Sequence, residues 1–241
     1  SCTDAWDAHY STDQSVLQEK SQTLADKIAS YGDETAKFVQ TLKSTKYVKG
    51  NDTLMSYYDY LCTDQVYTVW VPSESSISEE EWAEYTNPNK TLQQHKDVGQ
   101  RFLKNHIARY SYSIGYEDSI KIRMLSKKRY DSLTEDGATF AGVSYKTKNI
   151  PCINGLIHLL DGTITYRPTI YEYITEEESY KDNLGQFFLK YTIDEIDENR
   201  SIVSGIDENG EPIYVDSVTY KYSILMNKFG KISEEDSNYV V

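Results

Sequence analysis

The sequence has 241 residues, with 38 Asp and Glu against 25 Lys and Arg, and its formal net charge is −13. Binding to nucleic acid or to anionic lipid depends on clustered Lys and Arg, so this acidity argues against both as partners. Hydrophobic residues make up 39% of the chain and include 22 tyrosines, whose rings pack while the hydroxyl stays in water. We therefore expect a folded protein of one large domain or of about one and a half ordinary domains.

Three cysteines, Cys2, Cys62 and Cys152, are too few for a disulfide framework and show no paired Cys-x-x-Cys metal spacing. The start of the sequence, with Cys2 behind a single serine, resembles the processed N-terminus of a bacterial lipoprotein. This resemblance implies a lipid on Cys2, a polar tether over Thr3–Gln14, and attachment at the cell surface to the outer membrane of a Gram-negative bacterium. The alternative is a spare thiol on a frayed end.

The first part of the sequence predicts helices and one strand. Apolar residues recur at helical spacing over Val16–Ile28, and a second helix is predicted from about Asp33 to Val48. A third helical pattern covers Leu54–Leu61. The β-branched and aromatic run Val66–Val71, stopped by Pro72, is typical of a buried strand.

Two further helices follow. Ser78 and Glu81 form a capping box, which predicts a helix beginning at this point. From Thr91 to Arg109 apolar positions recur every three or four residues, and this is the clearest helical pattern in the chain. It places His106 on the same helix face as Phe102.

The sequence then changes to strand patterns. Strands are predicted, in order, at Ser119–Leu125, Tyr130–Leu133, Thr139–Val143 and Lys148–Ile153. Asn154–Gly155 predicts a type I′ hairpin turn, because that turn needs positive φ at both central residues. The return strand is Leu156–Leu160. Helices followed by a meander of strands indicate an α+β fold and not a βαβ repeat.

Three blocks in this order resemble the fasciclin-like domain family: Tyr67–Pro72, Phe102–Ile107 and Asn154–Asp161. The family typically shows Thr-Val-Phe-Ala-Pro-Thr, Leu-x-x-His-Ile/Val and Asn-Gly-Val-Ile-His-Val-Ile-Asp at these places. Trp70 and Val71 are conservative departures. The resemblance implies a wedge-shaped β sandwich with helices packed at one edge, used as an extracellular adhesion or binding module without catalysis. Its structural motif residues would be Asn154, Gly155, His158, Asp161 and His106.

The predicted domain organisation has three parts. Residues 1–30 form the lipoprotein tether and a leading helix, and residues 31–176 form the fasciclin-like domain. Residues 177–241 form the beginning of a second, incomplete domain with a hairpin insertion, because Leu225–Ile232 repeats the pattern of Leu54–Leu61. An incomplete domain would dock on the first domain or pair with another chain, so a dimer through this segment is possible. The alternative is that the last segment is a complete cap and the repeat is chance.

Motifs for catalysis, metals and cofactors are weak. His158 interrupts an apolar strand, and no His-x-x-x-His or carboxylate spacing near it completes a metal site. We interpret His158 and His106 as core histidines bonded to backbone, with Asp161 capping a turn. No Walker loop, Gly-x-Ser-x-Gly elbow or complete calcium loop is present. We expect no catalytic residue, no metal ligand and no cofactor.

Tyrosine is the more informative residue type. Two groups contain alternate positions that would share a strand face: Tyr110, Tyr112 and Tyr116, and then Tyr166, Tyr171 and Tyr173. A tyrosine offers a flat ring and a hydroxyl at low entropic cost, which suits protein and sugar partners alike. The alternative is ordinary packing on a two-sided sheet.

The sequence therefore favours a non-enzymatic, lipid-anchored surface protein that recognises a protein or glycan partner. Two alternatives remain open: an enzyme or accessory component of extracellular polysaccharide processing, and a structural spacer. A cleft with a pair of carboxylates would favour the first alternative, whereas a tyrosine-rich face would favour the binding module.

Overall fold

The structure is a computed structural model. It describes residues 22–115, 119–134, 138–177, 180–190, 192–196, 201–208, 212–216 and 219–223. Helices together with a large mixed sheet place the protein in the α+β class, as the sequence predicts. The chain divides into two compact units between Tyr166 and Arg167. The described residues do not include Cys2, Tyr116, the predicted repeat Leu225–Ile232 or the start of the predicted helix Val16–Ile28.

The first unit begins with short helices and one hairpin. The helices are α1 (Leu24–Ala29), α2 (Ala36–Ser44), α3 (Tyr57–Tyr60), α4 (Glu79–Tyr85) and α5 (Leu92–Val98), with 3₁₀ turns at Gly32–Glu34 and Glu74–Ser76. Strands β1 (Lys46–Lys49) and β2 (Asp52–Ser56) pair antiparallel between α2 and α3. The predicted capping box is present, because Ser78 Oγ accepts from the Glu81 N–H and the Glu81 carboxylate accepts from the Ser78 N–H.

Two predicted helices are shorter in the structure because adjacent residues pair as strands β1 and β2. The helix from Asp33 ends at Ser44, because the following residues pair as β1 and the Tyr47 ring stacks on Tyr60 with centroids 5.0 Å apart. Leu54 belongs to β2, and helix α3 begins only after Ser56, whose hydroxyl caps it. Tertiary pairing overrides the local helical pattern in both cases.

The clearest helical pattern, Thr91–Arg109, is wrong at its C-terminal end. Helix α5 continues as a π-helical turn over Gly99–Leu103 and then stops. Residues Ile107–Arg109 form strand β4, which pairs antiparallel with the buried strand before Pro72. His106 therefore lies at the junction between the π turn and β4 and not on a helix.

Seven strands form one sheet in the first unit. They are β3 (Tyr67–Val71), β4, β5 (Ser119–Arg123), β6 (Arg129–Leu133), β7 (Thr139–Phe140), β8 (Val143–Cys152) and β9 (Gly155–Leu160), in the order β4-β3-β9-β8-β7-β6-β5. β3 and β9 run parallel and the other neighbours run antiparallel. The sheet bends back on itself, because a bridge between Ala108 and Met124 joins its two ends.

The bent sheet separates two apolar cores. Strand β3 is buried along its whole length, and its side chains alternate between the two cores. Tyr67, Val69 and Val71 pack with the helices, whereas Trp70 packs inside the bend with Phe140, their ring centroids 4.4 Å apart. A strand buried on both faces needs apolar residues at nearly every position, which is why Val66–Val71 shows no polar alternation.

The hairpin between β8 and β9 is confirmed, but its predicted turn is wrong. Cys152 pairs with Gly155, so the central residues of the turn are Ile153 and Asn154, and Asn154 does not have positive φ. Gly155 has φ 148° at the first position of β9, and a Cβ there would overlap the Tyr67 carbonyl oxygen. Glycine is therefore required for close approach of β3 and not for a type I′ turn.

The second unit contains α6 (Ile170–Glu176), a π-helical turn over Lys181–Gly185 and α7 (Gln186–Lys190). Strand β10 (Thr192–Ile196) pairs antiparallel with β13 (Thr219–Ser223). Strands β11 (Ile202–Ile206) and β12 (Pro212–Asp216) form the hairpin that the sequence predicts. No helix among the residues described in either unit has the length and apolar character needed to cross a bilayer.

Candidate binding surface

The segment after β4 turns sharply at Tyr110. This residue has φ 70°, a left-handed conformation that is uncommon for a bulky side chain. Its N–H donates to the Val66 carbonyl at 3.0 Å, and its carbonyl accepts from the Thr68 hydroxyl at 2.8 Å. The same hydroxyl accepts from the Tyr112 N–H at 2.9 Å. One buried threonine of β3 therefore fixes the backbone on both sides of the turn.

His158 holds the next part of this segment. Its Nε2–H donates to the Tyr112 carbonyl at 2.9 Å, and its Nδ1 accepts from the Asn149 N–H at 3.1 Å. The ring is fully buried and lies against Trp70, with centroids 5.2 Å apart. Because the backbone partners fix both nitrogens, the ring carries its proton on Nε2 and is neutral. The predicted backbone-bonded core histidine is confirmed.

Asn149 completes this anchor. Its side-chain oxygen accepts from the Ile114 N–H at 2.8 Å, and its side-chain nitrogen donates to the Ile114 carbonyl at 2.7 Å. Asn149 itself has φ 59°, at an irregularity of β8, and asparagine tolerates this conformation better than most residues. We call His158 and Asn149 the Tyr110-side anchor, because together they hold residues 112–114.

A matching pair lies at the other end of β4. His106 Nδ1–H donates to the Phe102 carbonyl at 2.8 Å, and Nε2 accepts from the Ile164 N–H at 3.1 Å. The buried Asn105 side chain donates to the Ile164 carbonyl at 3.3 Å and accepts from the Tyr130 hydroxyl at 2.8 Å. We call His106 and Asn105 the Tyr166-side anchor, since they hold the segment that ends at Tyr166. The interpretation of His106 as a core histidine is confirmed.

Burial sets the electrostatics of both histidines. Desolvation lowers the pKa of His106 to about 4 against the opposing effect of its bond to the Phe102 carbonyl. Desolvation likewise lowers the pKa of His158 to about 4; the bond to the Tyr112 carbonyl opposes the shift and nearby Lys148 adds to it. Neutral rings with both nitrogens bonded to backbone position loops, and proton transfer to a substrate would require breaking those bonds.

Asn154 supports the same end of the sheet as Tyr110. Its side-chain oxygen accepts from the Leu24 N–H at 2.8 Å, and its side-chain nitrogen donates to the carbonyls of Leu61 and Thr63 at 2.8 and 2.7 Å. This one buried amide therefore ties the start of α1 and the chain after α3 to the β8–β9 turn. Asp161 is exposed, and its N–H donates to the Ser144 carbonyl at 2.9 Å.

Three exposed apolar side chains lie at this end of the sheet. Tyr110 is 58% exposed, Val66 44% and Ile153 62%. Tyr110 pairs with Val66 through its backbone, and Tyr67 next to Val66 donates to the Asn154 carbonyl, which follows Ile153. The Arg109 guanidinium lies 5.9 Å from the centre of the Tyr110 ring. We call Val66, Arg109, Tyr110 and Ile153 the Tyr110 surface.

The structure separates the tyrosines that the sequence groups together. Tyr112 is half-buried against Trp70, at 6.4 Å between centroids, and Tyr116 lies outside the described residues. Tyr166 is half-buried in the first unit. Tyr171 and Tyr173 belong to helix α6, so the predicted shared strand face is wrong; Tyr171 is buried and Tyr173 is exposed. At α6 the Thr169 capping box, which satisfies the first helical N–H groups, outweighs the strand pattern.

Sequence reasoning missed three of these positioning residues: Thr68 of β3 and the two anchor residues Asn149 and Asn105. Each is a polar residue beside apolar strand positions, and that pattern is the available signal. A buried side chain of this kind needs a partner, but the sequence does not say which of many backbone groups supplies it. Among the residues that the structure describes, no group of three or more His, Cys, Asp or Glu side chains could hold a metal ion.

The chain was compared with known proteins. No protein-family profile matches it, and no curated protein sequence matches it.

Proposed function

We propose that this protein is a non-enzymatic binding module that recognises a protein or glycan partner at the cell surface through the Tyr110 surface. One observation carries the proposal: the Tyr110 ring is 58% exposed although the backbone around it is bonded to buried side chains. An anchor that is already ordered loses little entropy on binding. Tyrosine and arginine are both enriched at binding hot spots, and the Tyr110 surface contains one of each.

We further propose that the first unit is a fasciclin-like domain with the wedge-shaped sandwich of that family. Two arguments support this. The three motif blocks come together on β3, on β9 and at the junction before β4, which are neighbours in one sheet. The sheet bends back on itself and carries helices against one face only of β3. In this proposal His158 and His106 serve the family's fold and not a reaction.

The setting we propose is a lipoprotein attached through a lipid on Cys2 to the outer membrane of a Gram-negative bacterium. A partner would then meet the Tyr110 surface outside the cell, and the segment 177–241 would provide a second contact or a dimer interface. Expression in a Gram-negative host tests the anchor. We expect the mature protein to carry the mass of a lipid and to fractionate with the outer membrane, and Cys2→Ser to abolish both; an unmodified Cys2 would contradict it.

The test of the binding function is a screen of the purified chain against a glycan array and a library of surface proteins. We expect saturable binding to one class, weakened about 30-fold in Tyr110→Ala, because truncating a hot-spot tyrosine costs about 2 kcal/mol or more. Met55→Ala is the matched control, since Met55 is a 46% exposed apolar side chain of β2 that lies outside the Tyr110 surface. Equal binding by wild type and Tyr110→Ala would contradict the proposal, provided that both melt at the same temperature.

A further inference from the structure

A concentrated basic region lies at the opposite end of β4 from Tyr110. Between Gly99 and Tyr130 the sequence has eight Lys and Arg and only two acids, although the whole chain carries a net charge of −13. The turn between β5 and β6 lies on the π-helical turn, because the Gln100 side chain donates to the Ser126 carbonyl at 2.7 Å and the Ser126 N–H donates to the Lys104 carbonyl at 3.0 Å. The π-helical turn and this hairpin together carry six cationic residues, of which Lys128 is buried: Arg101, Lys104, Arg123, Lys127, Lys128 and Arg129. We call them the basic tip.

The β5–β6 hairpin places like charges opposite each other. Arg123 and Arg129 are directly paired across the two antiparallel strands, with Lys127 in the turn between them. Like charges at such positions destabilise a sheet. Two pairs further along, Lys121 faces Asp131 with the ammonium and carboxylate 3.8 Å apart, and opposite charges at such positions favour stability. The paired arginines therefore concentrate positive charge at the turn, and an anionic ligand bound there would reduce the repulsion between them.

Two aromatic rings hold cations of the basic tip in place. The Lys128 ammonium lies 4.9 Å and the Arg101 guanidinium 5.4 Å from the centre of the Tyr166 ring. The Lys104 ammonium lies 4.7 Å from the centre of the Tyr47 ring. Cations positioned by cation–π contacts lose less side-chain entropy when an anion binds. The Tyr166-side anchor in turn fixes the segment that carries Tyr166.

We propose that the basic tip is a binding site for an acidic polysaccharide, that is, a glycan chain carrying closely spaced carboxylate or sulfate groups. This site is separate from the Tyr110 surface and does not rest on the function proposed for it. The arginine and lysine residues of one π-helical turn and one hairpin can together bind a ligand that carries several negative charges along a short length.

The structure favours a glycan over nucleic acid or an anionic bilayer. Single-stranded nucleic acid is held by bases stacked on open aromatic rings, whereas the Tyr166 and Tyr47 rings are approached by cations. An anionic membrane is an extended plane, and the net charge of −13 opposes its approach to the rest of the protein. A thin polysaccharide chain contacts the basic tip alone and avoids that repulsion.

The experiment measures binding of the full chain to immobilised heparin and polygalacturonate, with neutral dextran, single-stranded DNA and anionic phospholipid vesicles as further probes. We expect binding to at least one acidic polysaccharide, no binding to dextran, and a steep loss of affinity with added salt, because surface ion pairs are screened. The double variant Lys127→Gln/Arg129→Gln, which alters two exposed residues of the tip, is expected to bind about tenfold more weakly.

The control is Lys49→Gln/Lys146→Gln, which removes the same charge from two exposed lysines outside the tip. Binding of this control within twofold of wild type supports the site, whereas equal loss in both double variants would show a nonspecific charge effect and overturn it. Tighter binding to single-stranded DNA or to vesicles than to either polysaccharide would overturn the assignment to a glycan. Tyr110→Ala is expected to leave this binding unchanged, so the two proposals fail separately.

Discussion

The loops at the two ends of β4 are held in the same way, each by one histidine and one asparagine. At one end Asn149 bonds both backbone groups of Ile114, and His158 holds the residue two positions earlier. At the other end His106 and Asn105 share the two backbone groups of Ile164. Ile114 and Ile164 are both buried in the core inside the bent sheet. A histidine and an asparagine therefore fix each loop where it leaves the core.

The difference lies in what each loop presents. The Tyr110-side anchor leads to an exposed ring beside aliphatic side chains, whereas the Tyr166-side anchor leads to a ring approached by Lys128 and Arg101. An exposed ring suits a partner with an apolar or sugar face, and cations around a ring suit an anion. In our proposals the histidine and asparagine of each anchor fix the backbone of the loop, and the residues beyond them determine what the loop binds.

The largest effect is expected from Gly155→Ala, which would damage the Tyr110 end of the sheet. The added Cβ overlaps the Tyr67 carbonyl oxygen and the residue has φ 148°, so we expect a loss of about 4 kcal/mol or more, or failure to fold. Gly142→Ala is the control, because it has φ 80° but open space around it, and we expect it to cost about 1–2 kcal/mol. Chemical denaturation measures both; equal costs would show that the close approach of β3 is unimportant.

A second prediction concerns pH and treats the two anchors alike. Each histidine has a folded pKa of about 4 against about 6.5 when unfolded, so the unfolded chain binds more protons below pH 6.5. The free energy of unfolding is therefore highest above pH 6.5 and falls as the pH drops towards 4, by about 3 kcal/mol for each histidine.

NMR of the imidazole nitrogens checks the cause of this loss. We expect His106 to carry its proton on Nδ1 and His158 on Nε2, with neither ring titrating above pH 5. Titration of either ring near pH 6.5 would mean that the corresponding anchor is not formed.

A third prediction concerns the contribution of the Tyr166-side anchor to the free energy of unfolding. Asn105→Ala leaves the Ser126 and Tyr130 hydroxyls and the Ile164 carbonyl without their buried partner, and we expect it to cost about 2 kcal/mol. Ser113→Ala is a suitable control because the Ser113 side chain is exposed and makes one long contact of 3.5 Å. A cost below about 0.5 kcal/mol for Asn105→Ala would show that the Tyr166-side anchor contributes little.

Local patterns predicted the parts of the fold that depend on neighbouring residues. The Ser78 capping box and the strand before Pro72 follow from interactions within a few positions, and both are confirmed. The apolar strand around His158 likewise predicted a buried histidine. The sequence predicts these features because the interacting residues are close along the chain, or because the side chain only has to be buried in the core.

Three failures in the first unit share one physical reason, which is that a backbone segment distant in sequence decides the outcome. Asn154–Gly155 predicted a type I′ turn, but β3, some 90 residues earlier, needs the close approach at Gly155. The helix from Thr91 was extended through His106, but pairing with β3 converts Ile107–Arg109 into a strand. The anchor residues Asn149 and Asn105 were missed for the same reason, since their partners Ile114 and Ile164 are 35 and 59 residues away along the chain. The sequence shows the basic run Lys127–Arg129, but it does not show that Lys128 and Arg101 approach the same Tyr166 ring.

Hydrogen exchange of single amides tests most directly whether the backbone next to the Tyr110 surface is ordered before a partner binds. The variant is Asn149→Gly, because glycine accepts φ 59° without strain and removes only the side chain. The Ile114 amide donates to Asn149 and the Ile164 amide to His106. Thr147→Ala, at an exposed position of the same strand, is the control.

We predict that the Ile114 amide exchanges at least about tenfold faster in Asn149→Gly, as expected when a hydrogen bond worth roughly 1.4 kcal/mol is lost, while the Ile164 amide is unchanged. Unchanged exchange at Ile114, or equal acceleration at Ile114 and Ile164, would contradict the claim that each loop is fixed by its own histidine and asparagine.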